Sequence, residues 1–391
     1  MTEIGKSAFE KTPLKEAKLP SKLTTIGGSA FYQCSLKEVI IPDSVISLGS
    51  YVFGSNKTLE KATTGILESG IFSSCSNLKS ITLKSGINEI PEWAFGSCGS
   101  LEEIEIPDTV KSIGQYAFYE AKSLKEISIP EGVTSISGAF SNCVELQKAV
   151  LPSTLEIDGK LFAGSTKLTD VQINGDRYVL DGSLVYTNDK KTLVWCLPSY
   201  GGKVEVPAGI TAVGDAAFYS NHQITELILP DGVETVGSEA FYYCKEMTSV
   251  TLPDSITTIG EKAFGSCGAL TKVKLPAELT AVSAYLFSNS GITEITVPGK
   301  VTEIGRDAFS ECKKLEKATL PDSAKVLDRE IFYQCTNLKI ANIPDGATRI
   351  PNMTFSACGN LETVIVPASV ESIANGAFSE TNSLKYICYA G

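Results

Sequence analysis

Eleven cysteines are the residues of this 391-residue chain with the widest chemistry, because thiolates bind metals, form disulfides and act as nucleophiles. Their positions are regular, since nine of them follow a phenylalanine by three residues. Thr12, Asn56, Ala121 and Ser165 stand at the same distance after other phenylalanines, so the position accepts several small residues. We interpret it as a tight, half-buried slot in which a reduced cysteine acts as a small hydrophobic residue. The nine are Cys34, Cys75, Cys98, Cys143, Cys244, Cys267, Cys312, Cys335 and Cys358.

Metal binding and catalysis both lack the residues they need. A zinc site requires paired ligands at CxxC or HxxxH spacing, and His222 is the only imidazole of the chain. General-base and nucleophilic catalysis would need that histidine beside a serine or cysteine, and no phosphate-binding or dinucleotide-binding glycine pattern occurs. Carboxylate neighbours such as Glu102 and Glu103 fit a solvated acidic surface. We therefore predict no enzymatic activity, no metal site and no cofactor.

The phenylalanines reveal the element that positions these residues. From one Phe, a small residue follows at +3, Leu at +6, Ile at +9 and +11, Pro at +12, Val or Ile at +15 and +18, and Ala just before the next Phe at +22 or +23. Units this short cannot bury their own apolar faces, so successive units must cover each other in a solenoid. All sixteen Phe occupy this anchor position: Phe9, Phe31, Phe53, Phe72, Phe95, Phe118, Phe140, Phe162, Phe218, Phe241, Phe264, Phe287, Phe309, Phe332, Phe355 and Phe378.

Each unit predicts two extended segments. The LxxIxIP segment alternates apolar and polar residues, which is typical of a half-buried strand, and the Pro ends it. Asp often follows the Pro; this is ordinary turn chemistry, although a ladder of carboxylates could also hold calcium. Val, Ile and Gly in the second half favour extended structure, with one short helical or 3₁₀ turn around AFxxC. The fold class is therefore a right-handed repeat solenoid of about seventeen coils, residues 1–391, made mainly of short parallel β-strands.

Two places break the repeat. The interval from Phe53 to Phe72 is only 19 residues, and the interval from Phe162 to Phe218 is 56. The longer interval contains a 33-residue excess at 174–206, which has hairpin-turn signals between alternating strands and predicts a β-meander. Two interpretations stay open: an insertion that carries binding, or a degenerate coil repacked as a meander.

The charge balance excludes some partners. With 34 basic and 45 acidic residues the net charge is −11, which opposes nonspecific binding to nucleic acid and to anionic membranes. No apolar run is long enough to span a membrane, and no export signal precedes the first repeat. The repeats begin and end without polar caps, from which we expect a segment of a longer protein or ends covered by another element.

The combined pattern LxxIxIPxxVxxIGxxAFxxC resembles the BspA-like leucine-rich repeat over essentially the entire chain. The segment DGSLVYTNDKKTLVWCLP also resembles one that is common in that family. The resemblance implies a secreted or surface protein of host-associated bacteria or mucosal protists. Some members attach to extracellular matrix proteins or to other cells, and the family brings no catalytic residues. The LPSTL at Leu151 only looks like a cell-wall sorting motif, because it is the repeat's own LPxxL.

We therefore predict a non-catalytic module that binds a host or cell-surface protein through a concave strand face and the adjoining meander. Neither nucleic acid nor membrane insertion is expected of this segment. The alternative is a passive spacer within a larger surface protein. The predicted partner-binding residues are Lys148, Asp170, Gln172, Tyr178, Tyr186, Trp195, Glu205 and Glu226.

Overall fold

The computed structural model describes residues 1–389 and is a parallel β-solenoid without helices in that range. It divides into two compact units. Unit 1 comprises Met1–Ser183 and Leu197–Ser199, and unit 2 comprises Leu184–Cys196 and the chain from Tyr200 onward. Most coils contribute a strand to a first ladder, which follows the template Leu, and a second strand to a second ladder, which precedes the Ala-Phe pair. The solenoid of short parallel strands predicted from the repeat is confirmed.

In unit 1 the second-ladder strands are mostly two residues long, whereas the first-ladder strands have three or four. The first ladder contains β3 (Glu38–Ile40), β5 (Lys61–Thr64), β6 (Ser80–Leu83), β9 (Glu126–Ser128), β10 (Lys148–Leu151) and β11 (Asp170–Ile173). The second contains β1 (Glu3–Ile4), β2 (Thr25–Ile26), β4 (Ser47–Leu48), β7 (Glu89–Ile90) and β8 (Ser112–Ile113), and β12 (Tyr178–Asp181) follows β11.

Unit 2 repeats the arrangement. Its first ladder contains β15 (Gly202–Glu205), β17 (Ile224–Ile228), β19 (Ser249–Thr251), β22 (Glu294–Thr296), β24 (Lys317–Thr319), β26 (Ile340–Ala341), β28 (Thr363–Val366) and β30 (Tyr386–Tyr389). The remaining strands are β13 (Leu184–Thr187), β14 (Thr192–Cys196), β16 (Ala212–Val213), β18 (Thr235–Val236), β20 (Thr258–Ile259), β21 (Ala281–Val282), β23 (Glu303–Ile304), β25 (Val326–Leu327), β27 (Arg349–Ile350) and β29 (Ser372–Ile373).

The ladders are interrupted where the sequence departs from the template. In unit 2, β25 and β27 lie in successive coils but do not pair. In other coils the residue that follows the second-ladder strand donates its N–H to a carbonyl group of the preceding coil, as Asp328 does to Ile304 O at 2.9 Å. The residue that follows β27 is Pro351, which has no N–H to donate. In unit 1 the short Phe53–Phe72 coil forms no second-ladder strand. An ion pair between Asp43, in the coil before it, and Lys84, in the coil after it, spans this short coil.

The anchor phenylalanines form a stacked spine in each unit. Ring centroids of successive residues lie 4.9 to 6.0 Å apart, from Phe9 to Phe162 in unit 1 and from Phe218 to Phe378 in unit 2. All but Phe9 and Phe378 are buried. The spine that the repeat predicts is therefore confirmed.

The turn column, which we define as the residues from three before to three after each anchor Phe, is held by bonds between coils. In unit 1, Ser7, Phe9 and Lys11 donate their N–H groups to Gly28, Ala30 and Tyr32 of the next coil, at 2.7 to 3.0 Å. Residues two before and two after the Phe have positive φ in almost every coil; for Ser7 and Lys11 the values are 56° and 58°. The expected helical or 3₁₀ turn around AFxxC is therefore absent, because left-handed residues cannot continue a right-handed helix.

The cysteine slot is more buried and more polar than its composition indicates. Each of the nine cysteines is a buried thiol, and its S–H group donates to the carbonyl of the Phe in the preceding coil at 3.0 to 3.3 Å. Ser165 Oγ and Asn56 Nδ2 make the same bond, to Phe140 O at 2.9 Å and to Phe31 O at 2.7 Å. The interpretation as a half-buried hydrophobic slot is wrong in this respect, because the position mainly selects small hydrogen-bond donors.

The segment 174–206 contains a regular coil. Cys196 lies 22 residues before Phe218 and donates its N–H to Ala217 O at 2.8 Å, as the anchor Phe of other coils does. Strand β14 pairs in parallel with β16, and β15 pairs in parallel with β17. Within the predicted meander a hairpin at Asn188-Asp189 is present, because β13 pairs with β14 antiparallel. The parallel pairing of β14 and β15 with strands of the next coil fits a degenerate coil, and a role of this segment in binding stays a prediction.

We expect Phe264→Ala to destabilise unit 2 by about 3 to 5 kcal/mol, because the ring is fully buried between Phe241 and Phe287, at 5.1 and 5.4 Å. Lys272→Ala is the control: Lys272 is exposed and loses only a surface ion pair with Glu294, worth at most about 1 kcal/mol. Urea unfolding measures both. Equal small shifts in the two midpoints would contradict the spine.

We further expect one thiol to react quickly with DTNB in the native protein and nearly eleven to react after denaturation without reductant. Cys388 is exposed, whereas burial raises the pKa of Cys75, Cys143, Cys244 and Cys358 to about 12. Cys388→Ser should remove the fast phase. A denatured count near one or three would mean that the column is bridged by disulfides.

Candidate protein-binding strand face

The first ladder of each unit presents rows of outward side chains on a hydrogen-bonded support; we call these rows the strand face. The inward residue of each strand is buried and its neighbours on either side are exposed, as in β9 and β22. Parallel register places equivalent residues of successive coils side by side, so that Glu126, Lys148 and Asp170 form one row. Because backbone hydrogen bonds and inward side chains hold the ladder together, outward residues can be substituted without disturbing the core.

The predicted polar residues do lie on the strand face of their own unit. In unit 1, Lys148 pairs in register with Asp170, and Gln172 stands two residues further along β11. The Gln172 Nε2 group donates to Asn174 Oδ1 at 3.0 Å. In unit 2, Glu205 pairs in register with Ile228 and forms an ion pair with Lys203. Glu226 is exposed in β17. Their role in binding stays a prediction.

Two of the three predicted aromatic anchors are core residues. Trp195 exposes 1% of its surface and Tyr186 exposes 4%, so the expectation that they contact a partner is wrong. Trp195 immediately precedes Cys196, which stands at the anchor position of a coil that lacks a phenylalanine. Tyr178 is half-buried; its hydroxyl accepts the N–H of Ile157 at 3.2 Å and its ring lies under Arg177 at 5.4 Å.

Charges alternate along the row that borders the strand face. This border row, one position before the outward residues, reads Lys37, Glu60, Lys79, Glu102, Lys125 in unit 1 and Glu316, Lys339, Glu362, Lys385 in unit 2. Neighbours pair across coils: Lys125 with Glu102 at 4.0 Å, Lys339 with Glu316 at 2.9 Å and Lys385 with Glu362 at 3.8 Å. Such exposed pairs add little stability. Their consequence is that the border carries almost no net charge.

The sequence analysis overlooked an apolar part of the strand face in unit 2. Ile340 and Ile365 lie at outward positions of successive coils and expose 60% and 61% of their surfaces. Thr319 lies beside β26 and Thr363 lies in β28, whereas Lys317 of β24 pairs in register with Ile340 and is the charge that adjoins the patch on the strand face. Asn342 bonds both the N–H and the carbonyl of Leu320, at 2.8 and 2.7 Å, which satisfies its amide group. We call Thr319, Ile340, Asn342, Thr363 and Ile365 the isoleucine patch.

The side chains of residues 1–389 form no cluster of metal ligands. Among them no three His, Cys, Asp or Glu side chains converge in a way that could hold a metal ion. His222 is half-buried in unit 2, with Nε2 3.3 Å from Ser220 Oγ and the ring edge-on to Tyr243 at 5.3 Å. In the same range no helix has the length and apolar character needed to cross a membrane.

Comparison with known proteins settles the family. The family described as "BspA type Leucine rich repeat region" matches residues 2–104, 61–169, 201–315 and 280–390, in six copies. The chain belongs to the BspA-type leucine-rich repeat family. The resemblance stated from the sequence is thereby confirmed. A search of curated proteins finds no match.

Solved structures of leucine-rich repeat proteins resemble the chain in fold. A leucine-rich repeat protein from Eubacterium ventriosum is 21% identical with a TM-score of 0.61, over 90% of this chain and 84% of that one. A leucine rich cell surface protein from Faecalibacterium prausnitzii is 21% identical with a TM-score of 0.46, over 100% and 88%. A leucine-rich repeat protein from Bacteroides ovatus is 24% identical with a TM-score of 0.40, over 98% and 75%.

The BspA-type repeat explains which residues are constrained here. Its Leu, Ile, Ala, Phe and Cys positions are the buried ones in both units, whereas the isoleucine patch and the border row lie at positions that the repeat leaves variable. Isoleucine at such a position is therefore not required for packing. This is the signal that could have identified the patch from the sequence: an apolar residue at an outward position of the LxxIxIP strand.

We expect the stability of unit 2 to fall between about pH 7 and pH 5 partly because of His222. Burial first, and then the charge of Lys245, lowers the pKa of this imidazole below its ordinary value, and its Nδ1 atom is buried without a hydrogen-bond partner. The unfolded chain, with a histidine pKa of about 6.5, takes up a proton that the folded chain resists, so acidification favours unfolding.

Urea midpoints of wild type and His222→Gln at a series of pH values measure this contribution. The carboxylates contribute equally to both proteins, so the difference isolates the sole histidine. The wild type should lose more stability on acidification than the variant. Parallel pH profiles would contradict the assignment.

Proposed function

We propose that this protein is a non-catalytic, surface-exposed or secreted module that binds host extracellular matrix proteins or other cells through its strand face. The family supports a protein-binding role, and the isoleucine patch is the observation that carries the proposal. Two isoleucines with more than half of their surface in water, at positions where folding does not need them, are best explained by a partner.

The chemistry of the patch favours an apolar, weakly charged partner segment. The cores of protein interfaces are depleted in charged residues and enriched in large apolar ones, with a polar rim around them. Here the Glu316–Lys339 and Glu362–Lys385 pairs supply such a rim and neutralise each other. A partner segment that covers Ile340 also meets Lys317 beside it, so the partner must supply an acceptor for that charge at the edge of the patch.

The strand face of unit 1 is the second part of the proposal. Lys148, Asp170 and Gln172 form a polar surface there, and Glu205 and Glu226 form another in unit 2. Polar rims of this kind contribute more to specificity and to the association rate than to affinity. We therefore assign most of the binding energy to the isoleucine patch.

We expect the double variant Ile340→Lys, Ile365→Lys to lose at least about tenfold in affinity for its partner, because truncated or charged hot-spot residues cost more than about 1.4 kcal/mol. Both side chains are exposed, so the unfolding midpoint should hardly change. Surface plasmon resonance on immobilised fibronectin, laminin and collagen, together with adhesion to cultured cells, measures binding.

Val326→Lys is the matched control, since Val326 is also exposed in unit 2 but lies on the second ladder. A triple variant Lys148→Ala, Asp170→Ala, Gln172→Ala tests the polar surface of unit 1. Binding that survives both strand-face variants would reject the placement. If the intact chain binds neither matrix proteins nor cells, the passive spacer becomes the better explanation.

A further inference from the structure

Unit 1 carries a second cluster of side chains that neither folding nor the strand face explains. Five aromatic residues lie on its turn column: Tyr51, Trp93 and Tyr116 stand two residues before an anchor Phe, and Tyr32 and Tyr119 stand one residue after. Tyr51 exposes 40% of its surface, and the other four are half-buried. We call these five residues the aromatic shelf. None of them belongs to the phenylalanine spine.

The fold does not require rings at these positions. Tyr51, Trp93 and Tyr116 have φ values of 57°, 58° and 58°, a left-handed conformation that is uncommon for bulky residues. Two other coils of the same unit place Ser7 and Ser29 at this position, with φ values of 56° and 57°. Serine therefore suffices for the backbone, and the aromatic residues need another explanation.

Three of the shelf rings lie close to glycine backbone. A Cβ atom on Gly70 would overlap the Tyr51 ring, and one on Gly96 would overlap the indole of Trp93. A Cβ atom on Gly54 would stand 3.1 Å from the Tyr32 ring. Glycine at these three positions thus leaves room for the rings of Tyr51, Trp93 and Tyr32 against the turn column, where Tyr51 keeps 40% of its surface exposed.

The neighbours of Trp93 hold its indole in place. Its centroid is 4.9 Å from that of Tyr116, at a tilt of 38°, and 5.4 Å from that of Tyr119, nearly edge-on at 64°. Tyr116 and Tyr119 contact each other edge-on at 5.6 Å. Such contacts fix the orientation of the rings before any ligand arrives, which lowers the entropic cost of binding.

Polar side chains border the rings on the same turn column. Gln33, Ser97 and Glu120 each stand two residues after an anchor Phe, beside the shelf positions, and Gln115 directly precedes Tyr116. They offer amide, hydroxyl and carboxylate groups, which can bond to hydroxyl groups of a ligand. Glu92 and Glu120 also make the surroundings acidic, which opposes anionic ligands.

We propose that the aromatic shelf binds a neutral oligosaccharide. The C–H face of a pyranose ring carries slight positive charge and packs on the electron-rich face of an aromatic ring, while its hydroxyl groups project sideways toward the polar border. An array of flat rings with amide, hydroxyl and carboxylate neighbours fits that ligand. This site is separate from the isoleucine patch, which lies in the other unit.

The test is affinity electrophoresis of the full chain in gels containing glycol chitin, mannan or β-glucan, with hyaluronan as the anionic comparison. The wild type should be retarded in at least one neutral gel and not in the hyaluronan gel. Trp93→Ser and Tyr51→Ser should each weaken binding about tenfold, which corresponds to the loss of a stacked ring. Serine is chosen because Ser7 and Ser29 already occupy the same backbone position.

Lys262→Ser is the matched control, because Lys262 stands at the same position in unit 2, with a φ of 57° and no aromatic ring. It should bind as the wild type does. Unfolding midpoints verify folding, and Tyr51→Ser carries the test if Trp93→Ser does not fold. Absence of retardation in every neutral gel, equal binding by the serine variants, or equal retardation by hyaluronan would overturn the proposal.

Discussion

One spacing governs this protein: successive coils must rise by the distance that separates paired strands. Parallel strands lie about 4.8 Å apart, and the phenylalanine rings stack with centroids 4.9 to 6.0 Å apart. Hydrogen bonds of the ladders and ring contacts of the spine are therefore satisfied by the same repeat. The turn column makes this possible, because its left-handed residues direct N–H groups to the next coil while the chain reverses direction. The cysteine thiols then donate hydrogen bonds to the carbonyl groups of the spine phenylalanines.

Much of this fold could be predicted from the sequence because its determinants are local and repeated. Period-two alternation predicts the first ladder, and the regular spacing of most Phe residues predicts the spine. The left-handed conformation of the turn column could not be predicted, since Ser, Lys, Glu, Tyr and Trp all occur there and none favours positive φ. Cys196 was not recognised as an anchor because it replaces the residue by which anchors were identified.

The candidate site was predicted less well, for a related reason. Outward positions follow no rule of packing, so their side chains must be weighed one at a time. Trp195 and Tyr186 looked like anchors because large aromatic residues often are, but a degenerate coil that lacks its phenylalanine needs large side chains in its core. Ile340 and Ile365 looked like ordinary strand residues until their direction was known.

The turn-column bonds also give the repeat a polarity. In the turn column of each regular coil, the N–H groups at alternate positions donate to carbonyl groups of the following coil. The N–H of Phe95 donates to Ala117 O, and the N–H of Phe118 donates to Ala139 O. Within its turn column every regular coil therefore has a donor side and an acceptor side. Recombination that duplicates or removes a whole coil in the same orientation preserves every connection. Loss of a few residues can remove a ladder connection: the short Phe53–Phe72 coil keeps β5 and its turn-column bonds but has no second-ladder strand. Such proteins can thus change length between related genes in steps of one complete coil, while the surfaces of the coils diverge independently.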